Sequence, residues 1–114
     1  VLNLDREKTQ AVANQNRYAF AAMDDALAQA AQLTTAFLTA AQDSGLTASE
    51  SQRILKQIHD SASKIIEGRS DMLRATALLT RCIEHSQHEV TAFGCPLGLD
   101  TEQREEPRHL TLVA

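Results

Sequence analysis

From Asp5 to Asp43 the sequence has no glycine and no proline, and alanine is its commonest residue. Glycine and proline are the residues that interrupt helices, and alanine is the one that favours them most. The stretch therefore predicts one helix of nearly 40 residues, and that element limits everything that follows. Intrinsic propensity does little for such a helix in water; an apolar stripe, and something to cover it, must do the rest.

The stripe is present. Ala13, Asn16, Phe20, Met23, Leu27, Ala30, Thr34, Phe37 and Ala41 alternate at spacings of three and four, which is a heptad seam. Ala19, Ala26 and Ala40 flank it with side chains small enough to let another backbone approach closely. "DSGLTASE", Asp43 to Glu50, then supplies a stop and a start. Gly45 suits the left-handed position that follows a helix, and Thr47 with Glu50 spells a capping box. So short a connection makes the two flanking helices antiparallel neighbours.

A second seam reads Leu55, Ile58, Ala62, Ile65, Arg69, Met72, Thr76, Leu79, Ile83, Ser86, Val90 and Phe93. It crosses "KIIEGRSDML", Lys64 to Leu73, without a skip, whereas a turn at Gly68 would insert residues and shift the phase. A second continuous helix of about 45 residues is expected, closed by Gly94 and Pro96. The fold class is all-α: a long antiparallel helical hairpin over residues 1–93, dimerising into a four-helix bundle, with residues 94–114 a flexible C-terminal tail. The alternatives are a three-helix bundle broken at Gly68, and a tail whose "HLTLVA" end docks as a strand. Arg69 on a seam implies either a stem lying on apolar surface with its head in water, or a pairing with a buried acid or Asn16 that fixes register.

Dimerisation is expected because the core is thin. Of the 43% apolar residues, 18 are Ala; Trp is absent, and the aromatics are Tyr18, Phe20, Phe37 and Phe93. At roughly 25 cal/mol per Å² an alanine-rich core gains little, and association is the usual remedy in a small chain. Phe20, Met23, Leu27, Phe37, Ile58, Ile65, Met72, Leu79, Ile83 and Val90 are the residues expected at the interface.

Charge and hydropathy exclude whole classes of function. The net charge of −4 divides as −2 over residues 1–46, zero over 47–93 and −2 over 94–114, and the cations alternate with acids. No basic patch exists for nucleic acid. The longest apolar run, Ala19 to Met23, is far short of the roughly 20 residues a transmembrane segment needs. "VLNLDREK" turns charged at Asp5 and has no signal-like core, and Cys82 and Cys95 are too few for a disulfide scaffold, so a cytoplasmic location is expected.

"RCIEHSQHEV" gathers the metal-capable side chains. On a continuous helix Cys82, His85 and Glu89 would share a face, and a second chain could complete a zinc or iron shell. His59 and His88 each stand next to an acid in "HDSAS" and "HEVTA"; the latter resembles the phosphoacceptor stretch of histidine-kinase dimerisation domains, themselves helical-hairpin dimers. "DALAQ" is similar to the D-x-x-x-Q pair of chemotaxis response-regulator phosphatases, which implies that Gln29, beside Asp25, would orient a water for attack on an aspartyl phosphate. "VANQNRYAF" resembles the texture of polymer-granule phasins, implying a granule-coating amphipathic protein. Neither a nucleophile elbow nor a glycine-rich phosphate loop occurs, and no cofactor is called for. The expectation is a non-enzymatic helical interaction or regulatory protein, homodimeric, with the metal site or phosphatase as the alternative and the granule coat third.

Overall fold

The computed structural model describes residues 1–94. Two long helices, α1 (Arg6–Ala41, 36 residues) and α2 (Ala48–Glu84, 37 residues), form a hairpin, and a short 3-10 turn, Val90–Phe93, follows. The expected C-terminal tail lies, but for Gly94, outside the described residues. By their contacts the described residues divide into two compact units: Val1–Ala19 with residues 72–94, and Phe20–Asp71.

The helix ends follow from local chemistry. Asp5 caps α1: its Oδ2 accepts the Lys8 N–H at 2.8 Å, and its carbonyl accepts the Thr9 N–H at 2.9 Å. At the other end the Ser44 N–H and hydroxyl both reach the Ala41 carbonyl, at 3.3 and 2.7 Å, while Asp43 and Gly45 take positive φ values of 57° and 85° to turn the chain. Thr47 and Glu50 complete the expected capping box. The Glu50 N–H donates to Thr47 Oγ1 at 3.1 Å and the Thr47 N–H to Glu50 Oε1 at 3.3 Å. Nothing interrupts α2 at Gly68, so the three-helix alternative is overruled.

Every inward seam position of both helices is buried or half-buried, in the phase that the heptad spacing predicts. One expectation needs correction. The second helix stops at Glu84 rather than running to Phe93. Ser86 draws the backbone away from the α-helical ladder: its N–H and hydroxyl both bond the Ile83 carbonyl, at 2.9 and 2.6 Å, and its Oγ accepts the His88 N–H at 3.1 Å. Ser86, Val90 and Phe93 nonetheless face inward, because the segment folds back over the same core.

That core belongs to the first unit and joins Ala13, Ile83 and Phe93, with Leu4 and Val90 packed against it. An N-terminal strap, residues 1–4, closes it. The Leu2 N–H donates to the His85 carbonyl at 2.7 Å, the Gln87 N–H to the Leu2 carbonyl at 3.3 Å, and the Gln87 side chain bonds Asn3 and both backbone groups of Leu4. In the same unit the side-chain Oδ1 of Asn16 accepts the Thr76 hydroxyl at 3.0 Å, a buried polar pair joining the two helices.

Candidate functional site

Phe20–Asp71 offers a different surface from the first unit. Its seam side chains Phe20, Met23, Leu27, Phe37, Ile58 and Ile65 are all half-buried, and no residue from 20 to 71 is buried. Among the described residues the six that are buried, Ala13, Asn16, Thr76, Thr80, Ile83 and Phe93, lie in the other unit. Two antiparallel helices can cover only the strip along which they touch. Beside that strip Leu33, Leu38, Ile54 and Ile66 stand exposed, Leu33 and Ile66 at 55% each. The remaining expected interface residues fall in the first unit, where Met72, Leu79 and Val90 are half-buried and Ile83 is buried.

Arg69, the cation on the second seam, fits neither expected role in full: it pairs with an acid, but an exposed one. Its guanidinium lies 5.3 Å from the centroid of the Phe20 ring and its Nε donates to Asp24 Oδ1 at 2.8 Å. Both charged groups remain in contact with water, so the pair contributes at most about 1 kcal/mol. It bridges α1 and α2 without using a buried acid or Asn16. Lys56 holds the neighbouring Asp60 carboxyl below the usual aspartate range through a 2.8 Å hydrogen bond. That pair also sits on the outside of the hairpin.

The chemically suggestive residues do not converge. Asp25 and Gln29 are exposed one turn apart on α1. The shared face of Cys82, His85 and Glu89 required a helix through Glu89; with α2 ending at Glu84, His85 lies in a turn and Glu89 in extended backbone. Among the described residues no three His, Cys, Asp or Glu side chains come together as a metal site would need. His59 is exposed, and the His88 Nε2–H donates to the Leu4 carbonyl at 2.9 Å while its ring edge meets Phe93.

Depressions open to solvent occur among the described residues at two places. One, of about 380 Å³, sits at the hairpin turn among Phe37, Ala40, Ala41, Ser44, Gly45, Leu46 and Glu50; its single carboxylate belongs to the capping box. The other, of about 450 Å³, lies beside the strap among Val1, Leu2, Glu84, His85 and Ser86. Neither offers the enclosed apolar walls and converging polar groups of a small-molecule site.

Sequence reasoning missed the exposed residues beside the seam, Leu33 above all. The signal was present: no charged residue occurs between Asp25 and Asp43. Among the described residues no helix is long and apolar enough to cross a membrane. Comparison with family models, with curated proteins and with solved structures finds no match for this chain.

Proposed function

We propose that this chain is a non-enzymatic interaction or regulatory protein that works as a homodimeric four-helix bundle. One observation carries the reading: residues 20–71 form two amphipathic helices with a continuous seam, and not one of their residues is buried. Helices this long draw their stability from covered apolar faces, and a single hairpin leaves most of that coverage unmade. A second hairpin laid against the first supplies it, as in four-helix bundles. The cytoplasm suits a chain with only two cysteines, one of them the exposed Cys82.

The test is the mass in solution together with the melting temperature. Sedimentation equilibrium at micromolar concentration is expected to give a dimer, and the melting temperature is expected to rise with protein concentration, because association stabilises only the folded chain. A monomer whose melting temperature is independent of concentration overturns the reading.

A further inference from the structure

The homodimer reading leaves open which part of the hairpin meets its copy, and α1 carries a feature that answers. From Ala26 to Gln42 the sequence has no charged residue on any side of the helix. The facing stretch of α2 differs, with Glu50, Arg53, Lys56, Asp60, Lys64 and Glu67 at nearly every turn. Surface helices normally place charge on the side away from the core, and this run of α1 lacks that strongly hydrated side.

The threonines in this run fit such cover, and Gln29, Gln32 and Gln42 are its other polar residues. Thr34, Thr35 and Thr39 donate their hydroxyls to the carbonyls of Ala30, Ala31 and Thr35 at 3.0, 3.3 and 3.0 Å. Their hydrogen-bond donors are satisfied within the helix, as burial against an apolar surface requires. Yet in the single chain Leu33 is 55% exposed, and Ala40, seven residues on, is exposed as well. Ala26, seven residues before Leu33, is half-buried on the same side.

The occupant follows from symmetry. In a two-fold interface each residue near the axis meets its own copy, so any charge there faces a like charge. A different partner imposes no such condition and is normally recognised through complementary charges. A run of α1 free of charge meets that condition. Resting on the homodimer reading above, we propose that a second copy of this chain covers residues 26–41 of α1, with Leu33 packed against the second copy's Leu33 at the two-fold axis.

The experiment uses the full chain in three forms: wild type, Leu33→Lys and Leu33→Glu. Leu33 is more than half exposed in the single chain, so both variants are expected to keep the helical circular-dichroism signal. In sedimentation each variant alone is expected to be monomeric, its dissociation constant raised at least about a hundredfold by like charges at the axis. An equimolar mixture of the two is expected to form a heterodimer.

A dimeric wild type whose Leu33→Lys form stays dimeric overturns the placement and leaves the homodimer intact. Monomeric variants that fail to pair when mixed overturn the Leu33 contact. A monomeric wild type overturns both readings. As an independent check, Leu33→Cys in a Cys82→Ser, Cys95→Ser background is expected to form a covalent dimer on mild oxidation. Failure to cross-link from a dimeric starting state counts against the proposal.

Discussion

Gly68 lies inside α2 with right-handed helical backbone, and a Cβ built on it meets nothing within 4 Å. Neither a turn nor a close approach within the chain requires glycine there. It weakens the helix by about 1 kcal/mol relative to alanine and adds freedom to the unfolded chain. Gly68→Ala is therefore expected to stabilise the protein by about 0.5–1 kcal/mol in denaturant unfolding. A destabilised variant would mean that the position is strained or sterically closed. Asn16 and Thr76 are the opposite case. Their hydrogen bond is buried and joins the two helices, so polarity on the seam marks one register rather than a weak spot.

At the scale of elements, the N-terminal strap holds the end of the first unit. It contributes backbone hydrogen bonds from Leu2 and the side chain of Leu4, and Arg6 just beyond it sits 5.6 Å from the centroid of the Phe93 ring. Removing residues 1–4 is expected to cost about 1–3 kcal/mol and to speed amide exchange at Ala92 and Gly94, whose N–H groups bond within the 3-10 turn. Unchanged exchange there would show that the turn holds itself.

This element was not legible in the sequence, whereas the hairpin was. Seam phase, the capping box at Thr47 and Glu50, and continuity through Gly68 all depend on residues within a few positions of one another. The strap depends on Leu4 meeting Gln87, 83 residues away. The end of α2 depends in turn on backbone groups that the strap and Ser86 engage. Periodicity alone extended α2 to Phe93 because the inward positions stay in phase after the helix itself has stopped. The candidate surface was half legible: its seam residues were read correctly as inward, but the exposed apolar residues beside them follow from how little two helices cover.

For the whole molecule, the distribution of burial is uneven. Among the described residues the buried side chains all lie in the unit of Val1–Ala19 and residues 72–94, while Phe20–Asp71, which includes the hairpin turn, has none. This arrangement has a consequence in time. Contacts around Thr47 and Glu50 are local and close a loop of a few residues. The Asn16–Thr76 and Gln10–Phe93 contacts bridge 60 and 83 residues. Closing a loop of 60 residues costs about 2 kcal/mol more entropy than closing one of six. Folding is thus expected to begin where the gain is smallest and to collect its largest gain last. Mixing experiments that follow refolding and unfolding should show Thr47→Ala slowing refolding and Phe93→Ala mainly hastening unfolding. If Phe93→Ala instead slows refolding by its full loss of stability, the distant ends meet before the turn is set.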